Sequence, residues 1–200
     1  MKDSEITNLK KQIKKRKNKK TNDYRWIIRI SVISFIISIV FSTSSELLIP
    51  NVPLFVGIIL LIVFISIGIL FDMIGMSVAS ANEKVFHSMN SRKVKGADIA
   101  VNFKKNASKV STFCNDVIGD VSGIVSGSVG VIISSSIANK FNFSLIVTTL
   151  VVTGIISAIT IGGKAIFKSY AINKSDLILY EFSKFVSNFY RLNNNKKAKK

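Results

Sequence analysis

The 200 residues predict an all-α integral membrane protein with four transmembrane helices and amphipathic helices on its inner surface. Three observations carry that prediction. Hydrophobic residues make up 48% of the chain while the net charge is +17, a combination that does not suit a water-soluble globule. The apolar residues gather into four long stretches with little or no charge. The basic residues sort by connection: ten up to Arg25, none from Ser42 to Pro53, seven from Glu83 to Asp116, one at Lys140 and nine from Lys164 onward. Basic connections stay on the cytoplasmic side of a bilayer, so this alternation predicts a multi-pass protein of the cell membrane with both termini inside.

Residues 1–22 are Lys-dense and lack apolar periodicity, which predicts a basic disordered tail that touches anionic lipid. Residues 23–50 hold the first membrane helix, from Trp26 to about Phe41, and an outer loop. Arg29 sits one turn inside that helix, close enough to the cytoplasmic end for its side chain to snorkel to the headgroups. The basic-then-apolar order also resembles a signal peptide, but the basic region is long and no clean small-x-small cleavage site follows. The second apolar segment runs from Pro53 through Phe71, followed by Asp72 and a small-residue run over Gly75–Ala81. Between residues 83 and 113, Ile99, Phe103, Val110 and Phe113 recur at helical spacing, with Lys104, Lys105 and Lys109 elsewhere on the wheel. This pattern predicts surface-lying amphipathic helices, with Gly96 separating two short ones. The third segment runs from Val117 to Ala138 and the fourth from Phe143 to Gly163. Residues 172–192 carry Ile178, Phe182, Phe185 and Phe189 as an apolar stripe, which predicts an amphipathic juxtamembrane helix; residues 193–200 form a basic tail.

The composition narrows the chemistry. Cys114 is the only cysteine, so neither an intramolecular disulfide nor a thiolate metal cluster can form. His87 is the only histidine and reads as an interfacial residue. The basic residues segregate by loop and form no face with interleaved aromatics, which argues against nucleic acid as a partner. Gly162-Gly163-Lys164 lacks the spacing of a phosphate loop. No nucleophile–base pair is visible, so an enzyme is not expected.

Two features remain. Gly119, Gly123 and Gly127 recur every fourth residue, and Ser122, Ser126 and Gly130 repeat the spacing one strip over. Helices in lipid associate largely through such close backbone approach, so the glycine strip predicts tight helix packing and a homodimer through small-residue faces. Ionisable groups in membrane segments are costly, which makes Asp72, Asp116, Asp120 and Lys164 functional candidates. The predicted topology brings them, with Asn115, to one level near the inner leaflet. Carboxylate, amide and hydroxyl oxygens suit a hard divalent cation. The competing arrangement is a salt bridge from Asp72 or Asp120 to Lys164 that fixes helix register.

From about residue 53 to 186 the order of features resembles the membrane module of the cyclin M and CorB/CorC magnesium and cobalt transporter family. That module has three spanning helices, paired inner-surface helices after the first and a juxtamembrane helix after the last. Residues 51–171 would be this transporter-like module, with residues 23–50 supplying an extra helix in front. Phe71 through Ala79, then Arg92, Lys95, Gly96 and Ala100, look similar to the family's first helix and basic helix, with Ser77 matching its second serine. Asn115 is similar to an Asn-rich turn that opens the second helix, although the asparagine four residues on is Gly119 here. Gly163, Lys168 and Ala171 match the end of the third helix, where the family's glutamate is Lys164 and its proline is Phe167. The glutamate of the first helix falls near Val78. The paired nucleotide-binding domains that follow in the family are not in these residues. The resemblance implies a link to Mg2+ or Co2+ movement. Joined to the reading of the membrane-segment charges, it leads to a divalent-cation transporter-like protein with Asp72, Ser77, Asn115 and Asp120 as the expected oxygen ligands and Mg2+ as a candidate ion. The alternative is a non-transporting scaffold or regulatory subunit that keeps the fold and has a salt bridge in place of the ion site.

Overall fold

A computed structural model describes residues 2–48 and 53–197, with side chains placed for 24–47 and 53–189. Residues 49–52 of the expected outer loop, and 198–200 of the expected basic tail, lie outside the described residues. The described elements are α1 (Lys2–Leu48), α2 (Leu54–Ser80), α3 (Glu83–Ser91), α4 (Ala97–Lys105), α5 (Ala107–Thr112), a π-helical segment (Phe113–Asp120), α6 (Val121–Phe141), α7 (Leu145–Asn173) and α8 (Ser175–Lys197). No strand occurs among the described residues. Four helical stretches are long and apolar enough to cross a membrane: Tyr24–Leu47, Leu54–Ser80, Ala107–Phe141 and Leu145–Asn173. The protein is an all-α membrane protein.

The ends of these helices follow from local chemistry. Pro53 precedes α2, where a missing N–H costs nothing. The Asn82 side chain caps α3 by accepting from the Lys84 N–H at 3.1 Å. Gly96 has φ of +83°, a left-handed turn that separates α3 from α4 as expected. Asn142 ends α6 with φ of +53°, letting the Phe143 N–H close on the Ala138 carbonyl at 3.1 Å.

The described helices outrun the sequence-predicted limits. Helix α1 starts at Lys2, so the tail expected to be disordered is helical. The stretch 2–48 contains neither Gly nor Pro, and its Lys, Arg, Gln and Leu residues are good helix formers. Helix α8 likewise continues to Lys197, past the expected limit at 192. Helix α7 runs through the expected boundary at 171/172.

Two cores hold the bundle. The first lies between α2, α6 and α7 and contains Leu61, Ile65, Ile69, Val121, Val125, Val129, Ile133 and Ile156. Among the spans α6 is the most enclosed and α1, leaning on α6 and the π segment, the least. Because lipid tails are as apolar as leucine, this core depends on close van der Waals fit. The second core sits at the Lys-rich end, hereafter the basic end. It joins α2, α3, α4 and α8 through Val78, Ala81, Phe86, Ala100, Val101 and Leu179. There the fully buried Phe86 and Leu179 gain from leaving water, roughly 1.5–3 kcal/mol each. Phe103 and Phe182 stack with ring centroids 5.7 Å apart, fastening α4 to α8.

Candidate functional site

The polar residues of the third span sit on the π segment. Its eight residues, Phe113–Asp120, include Asn115, Asp116, Gly119 and Asp120. A π turn hydrogen-bonds from residue i to i+5, so it widens the helix and shifts the directions in which its side chains point. Asn115 and Asp120 are five apart, and each points to a different partner helix.

Asn115 turns toward α2. Its Nδ2 donates to Ser111 Oγ at 3.5 Å, while its Oδ1 is buried without a hydrogen-bond partner among the described residues. Gly75 makes the room: a Cβ on Gly75 would collide with Asn115 Oδ1 and would lie 3.0 Å from the Ser111 carbonyl oxygen. Asp120 turns toward α7, where Lys164 Nζ lies 3.4 Å from Asp120 Oδ1. The side chains are 25% and 66% exposed for Lys164 and Asp120, so this ion pair is only partly enclosed. Asp72 is half-buried on α2 and Asp116 is exposed; neither makes a hydrogen bond or ion pair among the described residues.

Ser77 is fully buried elsewhere. Its Oγ donates to the Met73 carbonyl at 2.8 Å and reaches the Ala171 carbonyl at 3.5 Å, which ties α2 to α7. Five residues separate Ser77 from Asp72, which puts them about 140° apart around α2. Among the described residues no three His, Cys, Asp or Glu side chains group as a metal site would need. The structure therefore brings Asp120 and Lys164 together and sets Asn115 against Gly75. It leaves Ser77 at a helix contact facing away from the carboxylates.

The expected glycine strip divides. Gly119 is buried against α2, with a constructed Cβ 3.6 Å from the Gly68 carbonyl oxygen. A Cβ on Gly123 or Gly127 would meet nothing within 4 Å among the described residues, contrary to the expectation of close helix packing for that strip. The adjacent strip is the packed one. Ser122, Ser126, Gly130 and Ser134 are buried, and a Cβ on Gly130 would collide with Ile156 of α7. The seryl hydroxyls satisfy themselves along the helix, with Ser126 Oγ donating to Ser122 O at 2.7 Å and Ser134 Oγ to Gly130 O at 2.7 Å. Serine can thus be buried beside apolar neighbours, whereas Gly123 and Gly127 border open space. Sequence spacing alone could not rank the two strips.

Two contacts at the basic end were not foreseen from sequence. Lys104 Nζ donates to the Val78 carbonyl at 3.1 Å and the Ala79 carbonyl at 2.8 Å, closing the C-terminus of α2. Helix α2 has no basic residue in its own last turn, so its orphan carbonyls take a donor from α4. That lack was the available signal. Asp176, in the first turn of α8, accepts from the Asn82 N–H at 2.7 Å and pins the start of α8 to the α2–α3 link. His87 pairs with Glu83 at 3.2 Å on an exposed helix face, and Cys114 is a buried free thiol.

Fold and polar site together define an all-α protein with four helices able to cross a membrane and an ion pair between two of them. Compared with known proteins, the chain matches no family model, no curated protein and no solved structure.

Proposed function

We propose that the chain is a multi-pass scaffold or regulatory subunit of the cell membrane, with both termini cytoplasmic, that keeps a transporter-like bundle without moving ions. The observation that carries this reading is the Lys164–Asp120 pair at 3.4 Å. An ammonium on that carboxylate competes with a divalent cation for the same oxygens and repels it. A second reading, divalent-cation transport with Mg2+ or Co2+ as cargo, draws support from a different observation. Asn115 Oδ1 is buried with no partner among the described residues, and Asp72 and Asp116 form no ion pair there, so Lys164 is the one cation set against three neighbouring carboxylates. Under that reading Asp72, Asn115 and Asp120 would offer oxygens to the ion.

The test is the melting temperature of purified protein at matched ionic strength, with and without millimolar Mg2+. A ligand that binds only the folded state must stabilise it. On the scaffold reading, Mg2+ leaves the wild type unmoved. Lys164→Met then lowers stability by up to about 1 kcal/mol, as for a largely exposed pair, and adding Asp120→Asn restores the loss. On the transport reading, Mg2+ raises the wild-type melting temperature, Asp120→Asn abolishes the shift, and Lys164→Glu enlarges it. A Mg2+ shift that depends on Asp120 overturns the scaffold reading.

A further inference from the structure

An apolar crevice runs beside α1, and its mouth is cationic. At the basic end a cavity of about 500 Å3 is lined by Trp26, Ile30, Phe71, Phe113 and Cys114, with Arg29 and Lys109 among its walls. A second cavity of about 280 Å3 lies between α1, α2 and α6, lined by Ile37, Phe41, Phe64 and Val121. Phe113 borders both, so they follow one another along the bundle. Phe41 of α1 and Phe64 of α2 meet edge to face, with centroids 6.3 Å apart, toward the far end. The crevice lies where α1 rests mainly on α6 and the π segment and meets α2 through the Phe41–Phe64 contact. Both cations fall inside membrane-crossing stretches, Arg29 in Tyr24–Leu47 and Lys109 in Ala107–Phe141. Neither has an acidic or hydrogen-bonding partner among the described residues. Two unpaired cations at the edge of hydrocarbon are expensive unless an anion meets them.

We propose that this crevice binds one anionic phospholipid of the adjoining leaflet. Its phosphodiester lies between Arg29 and Lys109, and an acyl chain follows the groove past Phe113 toward Phe41 and Phe64. Charge complementarity selects the headgroup, since guanidinium and ammonium both donate to phosphate oxygens. The apolar walls select a lipid over free phosphate. The bound chain fills space that α1 leaves open and so holds α1 on the bundle. The proposal rests on the chain lying in a bilayer and is independent of whether it moves ions.

The test is native mass spectrometry and melting of the detergent-purified full chain with added phosphatidylglycerol or phosphatidylcholine. The wild type should retain a single phosphatidylglycerol and melt higher with it. The double variant Arg29→Gln, Lys109→Gln should bind it about thirtyfold more weakly, the effect of removing two interfacial cations. Ile33→Trp, which fills the groove and leaves both charges, should weaken phosphatidylglycerol as well. Lys93→Gln, Lys95→Gln removes two cations outside the crevice and should leave binding unchanged. Equal retention of both lipids, unaltered binding in the Arg29/Lys109 variant, or an equal loss in the Lys93/Lys95 variant would each overturn the proposal. A chain that leaves membranes without detergent would instead overturn the bilayer reading on which it rests.

Discussion

Gly96 shows how much a single residue decides at the basic end. Its φ of +83° is open to glycine and strained for a side chain, and a Cβ there would lie 2.9 Å from Lys184 Cα and 3.0 Å from Lys184 N. Both costs arise from backbone, so no rotamer change relieves them. Gly96→Ala should therefore destabilise by about 1–3 kcal/mol and loosen α8, the helix it presses on. Gly162 gives the contrast, since it has nothing within 4 Å and lies inside α7. Gly162→Ala should be neutral or stabilising by about 0.4–1 kcal/mol, because alanine favours the helix and meets nothing. Thermal or denaturant unfolding of both variants in one detergent checks the pair. Equal behaviour would remove the claimed contact between the α3–α4 turn and α8.

At the scale of elements, α2 lies close against α6 and the π segment at Gly68, where a Cβ would stand 3.2 Å from Ser122 Cβ and 3.3 Å from the Gly119 carbonyl oxygen. A leucine has no space at this crossing, so Gly68→Leu should separate the helices and abolish the fold in detergent. Gly123→Leu should leave the monomer stable, and a change in its oligomeric state alone would assign the open strip to contact between copies. Unfolding of Gly123→Leu as severe as that of Gly68→Leu would contradict the packing described. This reversal marks how far periodicity reads. The four apolar segments and the short helices around Gly96 were legible, because burial and amphipathicity leave a 3.6-residue trace. Of the expected α8 stripe Phe182 packs on Phe103, whereas Phe185 and Phe189 are exposed and the buried positions are Leu179 and Ser183. Which small-residue strip is buried depends on the rotation of α6, and the π segment resets that rotation just before it begins. A salt bridge to Lys164 was legible from matched depth and opposite charge, but the sequence left Asp72 and Asp120 both open as its partner, and the structure places Asp120 there. The inward turn of Asn115 toward Gly75 is a tertiary contact without a local signal, and for Lys104 capping a helix over twenty residues earlier the sequence shows only that α2 lacks a basic residue in its own last turn.

For the whole molecule the governing asymmetry is charge. Helices α3, α4 and α8 gather lysines at one end of the bundle, while the α6–α7 turn at the other end carries Lys140 alone. Basic residues near the ends of membrane segments resist translocation, so this asymmetry should fix orientation during insertion. Cysteine labelling measures it directly, and the background is simple because Cys114 is the only cysteine and is 3% exposed. In a Cys114→Ala chain, Ser44→Cys and Asn142→Cys should react with a membrane-impermeant maleimide on intact cells. Ser91→Cys and Lys174→Cys, both at the basic end, should react only after the membrane is opened. All four positions are exposed, so absence of labelling would report the membrane barrier and not burial. Reaction of Ser91→Cys on intact cells would reverse the orientation. Reaction of Ser44→Cys and Asn142→Cys from opposite sides would break the four-span topology, because α2, the α5–α6 stretch and α7 could not then all cross.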